Sequence, residues 1–223
     1  MPDNKLQEYL DKFLTDNRKQ KINSVVSERT RYITVVLEDI FHPPNASAVI
    51  RNCECFGIQD LHIIENEKEF QANTEVVKGA AQWVNLHHYR EQANNTKECL
   101  VKLKKAGYRI VATTLNKDLK QSTLDNIELD QPMALCFGCE ETGLSQTAHD
   151  LADNFITLPM YGFTQSFNIS VTSALCLQEL IKRLRASDQP WKLSEKEQDT
   201  LKLNWTQKSI KNVEKIIERF QNT

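Results

Sequence analysis

Apolar residues recur along this chain with two different periods, and their alternation predicts the fold class. Leu6, Tyr9, Leu10, Phe13 and Leu14 fall at three- and four-residue spacing, so residues 3–20 are expected to form an amphipathic helix. The run 32–40, YITVVLEDI, is continuous and β-branched, as a strand covered on both faces would be. Two prolines then break the chain. Asn45 is placed to cap a helix from Ala46 to Phe56, which Gly57 stops. Further strands are expected at 60–64, 83–88, 108–115, 133–138 and 154–160. Helices are expected at 91–106, closed by Gly107, and at 147–152 and 169–185. Leu201, Trp205, Ile210, Val213, Ile216, Ile217 and Phe220 mark a last helical region, 194–221. Apolar strands alternating with helices specify an α/β fold, a mostly parallel sheet with helices on both faces.

Composition narrows the class. A chain of 223 residues suits one domain with extensions, and it can bury roughly 70% of its unfolded surface without a staple. Hydrophobic residues at 40% and charged residues at 26% exclude a disordered or fibrous protein. No apolar run approaches the ~20 residues of a membrane span, and the first thirty residues hold no secretory apolar core. The six cysteines occur without such a leader, which points to the reduced cytoplasm.

Two cysteine pairs, Cys53-x-Cys55 and Cys136-x-x-Cys139, admit a zinc or redox reading. Cys136 lies in a strand-like apolar run, however, and Cys53 and Cys55 would face different sides of a helix. No metal is expected. The five histidines form no H-E-x-x-H pair, and the chain has no Gly-rich dinucleotide fingerprint, no P-loop and no G-x-S-x-G elbow.

The net charge of −2 argues against a generic basic nucleic-acid binder, until it is resolved along the chain. Residues 1–31 carry seven Lys/Arg against five Asp/Glu, residues 32–181 eleven against nineteen, and residues 182–223 ten against six. Basic ends flank an acidic middle, as expected of polyanion-binding arms around a chemical core; two solvated amphipathic helices would show the same pattern.

In an open α/β sheet the site lies beyond the carboxyl ends of the strands. Three such ends here combine Gly or Pro with small polar residues: PPNASAVIR after 32–40, FGCEETGLS after 133–138, and LPMYGFTQSFNIS around and after 154–160. Three such loops on one sheet imply a pocket. Arg51, about one and a half turns into the first of these helices, could reach a phosphate or a developing alkoxide, or form a surface ion pair.

In order and spacing these loops resemble the three motifs of the SPOUT superfamily of RNA methyltransferases. More narrowly they resemble the TrmH type, the tRNA guanosine-18 ribose 2′-O-methyltransferases. Residues 45–57 read N-A-S-A-V-I-R-N-C-E-C-F-G, residues 137–144 F-G-C-E-E-T-G-L, and residues 158–170 L-P-M-Y-G-F-T-Q-S-F-N-I-S. The resemblance runs from about residue 30 to 185, with a weaker echo in the tail.

The resemblance implies a knotted catalytic domain, 31–185, with a C-terminal deep trefoil knot. An N-terminal helical arm, 1–30, and a C-terminal helical extension, 186–223, would flank it. It also implies a cytoplasmic homodimer that binds S-adenosyl-L-methionine and tRNA and methylates position 18 of the D-loop. By position, Arg51 is the catalytic arginine supported by Asn45, and Glu140, Ser166 and Asn168 shape the site. Thr113, Gly138, Leu158, Met160 and Phe167 would line the cofactor pocket. Glu140 either orders the loops or touches substrate, and Asn168 either caps helix 169–185 or takes part directly. Alternatives are a ribosomal-RNA guanosine as target, or an RNA-binding module without catalysis. The chain departs from the common pattern at Pro43-Pro44, at Glu141-Thr142 and in the stretch 78–83.

Overall fold

A computed structural model describes residues 4–40, 42–67, 69–70, 79–116 and 118–222. Among these described residues, seven strands form one all-parallel sheet: β1 Ile33–Glu38, β2 Asp60–Ile64, β3 Asn85–Tyr89, β4 Arg109–Thr113, β5 Gln121–Ser122, β6 Met133–Phe137 and β7 Asn154–Ile156. Their order is β3-β2-β1-β6-β4-β7-β5. β1 is buried throughout and pairs with β2 on one side and β6 on the other, with Val36 opposite both His62 and Cys136.

Alternate residues of each strand face opposite layers. Ile33, Val35, Leu37, Leu135 and Phe137 join one core with α3 (Pro43–Cys55) and α6 (Ile169–Arg185). Val36, Ala112, Ala134 and Cys136 join another with α4 (Asn95–Lys105) and α5 (Gln146–Leu151). The expected helices on both faces are therefore present. Trp191 packs against the first core and the Tyr32 hydroxyl donates to Gln189 at 3.0 Å, so residues 186–191, read from sequence as extension, belong to the sheet unit.

The chain divides into two compact units, residues 31–191 and the two terminal segments together. In the terminal unit, α1 (Asn4–Asp11) and α2 (Asp16–Val26) replace the single helix expected at 3–20, of which Asp3 lies outside the described residues. The break has a cause: the Thr15 side chain accepts from the Arg18 amide and starts a new helix. The last region likewise splits into α7 (Glu195–Lys208), opened by a Ser194–Glu197 capping box, and α8 (Val213–Gln221). Leu10, Ile22, Val26, Leu201 and Trp205 are buried, and the Arg29 guanidinium stacks over the Trp205 ring at 5.0 Å.

Candidate active site

From β1 the chain turns through α3 toward β2, and from β6 through α5 toward β7, on the opposite side of the sheet. The strand order thus reverses between β1 and β6, and the loops after their carboxyl ends come together there, with a cavity beyond the ends of β6, β4 and β7. The three loops singled out from sequence meet there.

α3 starts three residues earlier than expected. His42 is its N-cap, and Pro43 and Pro44 occupy the first turn, where no amide hydrogen is needed and a fixed φ suits the helix. Asn45 is therefore not the cap, and its side chain is free for another role. Its amide donates to the Glu140 carboxylate at 2.9 Å. The Asn168 amide donates to Glu140 at 2.9 Å and to the Asn45 carbonyl oxygen at 3.1 Å. The Ile169 backbone amide adds a bond to Glu140 at 3.3 Å. Asn168 also caps α6, accepting from the Ser170 amide at 2.9 Å. Asn45, Glu140 and Asn168 thus form a closed ring that ties the three loops together.

Beside this ring lies a cavity of about 370 Å³, within the ~300–1,000 Å³ range of small-molecule sites. Thr113, Gly138, Leu158, Met160 and Phe167 line it, as do Glu140 and Ser166. Asn45, Arg51 and Asn168 do not line it. Arg51 is exposed on α3 and makes no hydrogen bond or ion pair with another described residue. Its neighbour Asn52 instead bonds α6 through the Ser170 carbonyl at 2.8 Å and the Ser173 hydroxyl at 2.9 Å.

The cavity wall is built from tight backbone. Gly138 and Gly143 close a turn in which the Cys139 amide donates to Gly143 at 3.1 Å and the Gly143 amide returns the bond at 2.8 Å. A Cβ on Gly138 would meet the Gly143 carbonyl carbon at 2.2 Å, so only glycine permits the approach. Gly143 adopts φ +73, the left-handed region. The Thr113 hydroxyl donates to the Cys136 carbonyl at 2.9 Å and fixes the end of β4.

Sequence reasoning missed several lining residues: Leu115 and Asn116, Leu144, His149, Thr172 and Cys176. Leu115 and Asn116 follow a strand end, so the carboxyl-end rule could have found them. Cys176 and His149 sit within helices and carry no such signal. Cys136 and Cys176 are buried among apolar side chains, which pushes the Cys176 thiol up to about 12 and Cys136 well above its ordinary value. Among the described residues no His, Cys, Asp and Glu cluster could hold a metal.

The family model of the SpoU rRNA Methylase family matches residues 32–178. A tRNA (guanosine(18)-2′-O)-methyltransferase of Borreliella burgdorferi is 44% identical over 96% of this chain and 95% of its own length. The chain belongs to the SpoU methylase family. A tRNA (guanosine(18)-2′-O)-methyltransferase of Thermus thermophilus is 32% identical over 77% of the chain and 86% of its own. The A. aeolicus TrmH/SpoU tRNA modifying enzyme has a crystal structure that superposes with a TM-score of 0.76 at 27% identity, covering 87% of this chain and 98% of that one. Against this SpoU methylase background the cavity suits a nucleoside-bearing cofactor. Its walls pair apolar side chains (Phe137, Leu144, Ile156, Leu158) with the exposed backbone of the 138–144 turn.

Proposed function

We propose that this protein is a tRNA (guanosine-18-2′-O)-methyltransferase that uses S-adenosyl-L-methionine. The observation that carries the reading is the Asn45–Glu140–Asn168 ring beside the cavity, which joins three chain segments into one site. The 44% identity to a relative of that activity, over nearly both full lengths, supports the choice of substrate.

S-adenosylmethionine, when bound, supplies an already activated methyl group. What remains for the protein is alignment and charge stabilisation. Thr113, Gly138, Leu158, Met160 and Phe167 hold the cofactor, largely by backbone and apolar contacts. Arg51, exposed and unpaired among the described residues, clamps an RNA phosphate and stabilises the ribose alkoxide as it forms. An arginine does not give up its proton, so it is not the base. Glu140 accepts three hydrogen bonds, which suits a carboxylate that orders the loops. Asn168 both caps α6 and closes the ring. Ser166, exposed at the cavity wall, is available to the substrate.

The reading extends to a C-terminal trefoil knot within the catalytic domain, whose boundary moves from 185 to 191. Its support is that β7 lies between β4 and β5, strands that follow one another in the chain, and pairs with both. It extends also to a homodimer, supported by Val171 and Leu175, which lie exposed on α6 four residues apart, and by exposed Tyr161, Phe163 and Phe167 in the loop before it. The terminal segments, 1–30 and 192–223, grip tRNA through their lysines and arginines. Six free cysteines fit a cytoplasmic setting.

Replacement of Arg51 by Ala tests the assignment. Methyl transfer to tRNA is expected to collapse while S-adenosylmethionine binding persists. Near-normal transfer by Arg51→Ala would overturn the role given to Arg51.

A further inference from the structure

Glu38 ends β1 and is 2% exposed, yet it carries an acid into the middle of the molecule. A buried carboxylate is costly unless its oxygens are satisfied. Here both are. One accepts from the Ser145 backbone amide at 2.7 Å. The other accepts from the Ser145 hydroxyl at 2.7 Å and from the buried Thr96 hydroxyl.

Ser145 is the residue at which the cavity turn ends. Glu141 to Leu144 line the cavity, and the backbone of Gly143 and Leu144 packs against Gly138. Ser145 then caps α5, its hydroxyl accepting from the Ala148 amide at 3.2 Å. At its start the turn is fixed by β6, which pairs with β1 and β4. At its end it is fixed by two bonds to one carboxylate on a central strand.

We infer that Glu38 is a positioning residue for the cofactor, holding the 138–145 turn through Ser145 in the shape that receives S-adenosylmethionine. The inference rests on the cofactor reading of the cavity given above. It differs from the ring, because Glu38 lies beneath the turn and touches neither Asn45 nor Asn168. Loss of the carboxylate would leave the Ser145 amide and two hydroxyls without their acceptor in a buried site. A glutamine can preserve much of the arrangement. Its oxygen would accept from the Ser145 amide, and its NH₂ would donate to hydroxyls that can rotate to accept.

The test measures S-adenosylmethionine Kd by calorimetry, KM for cofactor and for tRNA separately, and amide hydrogen exchange of residues 139–145 in the cofactor-free protein. Glu38→Ala is expected to raise the cofactor Kd and KM at least tenfold, to leave the tRNA KM within about threefold, and to speed exchange in the turn. Glu38→Gln is expected to restore most of the cofactor affinity. Ser145→Ala, which keeps the backbone bond, should give a smaller rise in Kd and serves if Glu38→Ala does not fold. Thr96→Val removes the carboxylate's other partner and should lower the melting temperature without changing the cofactor Kd. Equal losses for both substrates, or an unchanged Kd in folded Glu38→Ala or Ser145→Ala protein, would overturn the inference while leaving the cofactor reading intact. A wild-type protein that binds no S-adenosylmethionine would overturn both.

Discussion

Asn45 donates its side-chain amide to Glu140 at 2.9 Å, joining residues 95 apart in sequence. Because Glu140 accepts on both oxygens, an amide in its place would set a donor against a donor. Glu140→Gln is therefore expected to be nearly as harmful as Glu140→Ala. Hydrogen bonds to a charged group are worth about 1.5–3 kcal/mol, which corresponds to roughly 10- to 100-fold in kcat/KM. The shape of the pH–rate profile should survive in the residual activity. An acidic limb, where protonation of a base shuts off transfer, lost specifically in Glu140→Gln would instead make Glu140 a proton acceptor.

The two glycines of the cavity turn should behave differently. Gly138→Ala brings a Cβ to 2.2 Å from backbone, so the turn must open and cofactor binding should be lost. Gly143→Ala meets nothing within 4 Å and carries only the cost of φ +73, about 1 kcal/mol. Calorimetric titration with S-adenosylmethionine, with circular dichroism as a check on folding, separates the two cases.

Acid should destabilise the sheet through His62. Burial, first, and then the neighbouring His87 hold its pKa down to about 4 from an ordinary 6.5. A base with a depressed folded pKa contributes its stability above 6.5, and that contribution is lost as pH falls toward 4. Between pH 7 and pH 5 the loss is about 2 kcal/mol. Asp60 is not the cause in this window. Burial raises its pKa, but the bonds from His87, Asn85 and Arg31 outweigh that and hold it at about 2, so its contribution fades only below about pH 4. Urea unfolding at pH 7 and pH 5 should show this loss in the wild type and a smaller one in His62→Gln.

The arms should bind tRNA with a steep salt dependence. Replacing Lys211, Lys215 and Arg219 by Gln should lower the slope of log Kd against log salt by about one per residue. These are better probes than deletion of 190–223, because Leu201 and Trp205 are buried in the terminal unit and their loss would unfold it. A slope unchanged by the three replacements would remove the arms from the RNA-binding account.

Much of this architecture was legible in the residue pattern because β1 is rich in β-branched apolar residues, β6 is an unbroken apolar run, and Gly57 and Gly107 end helices with positive φ. β5 was not, since Gln121–Ser122 is two polar residues with no periodicity to read. The break between α1 and α2 was masked because Phe13 and Leu14 continue the apolar spacing past the end of α1 at Asp11, although Phe13 is half-exposed. At the site, the loops came from the carboxyl-end rule and the residue roles from resemblance. Asn45 was placed at the right loop with the wrong local role, because Pro43-Pro44 already starts the helix. Glu38 carried a usable signal, an acid within a strand that reads as wholly buried, whose meaning depends on a partner 107 residues away.

The central claim is that this site methylates one ribose of tRNA, and mapping the product tests it most directly. Unmodified tRNA incubated with the purified protein and S-adenosylmethionine should gain a single 2′-O-methyl group, on the guanosine at position 18 of the D-loop. Methylation of ribosomal RNA with tRNA left unmodified, or a methyl group on a base rather than a ribose, would contradict the account.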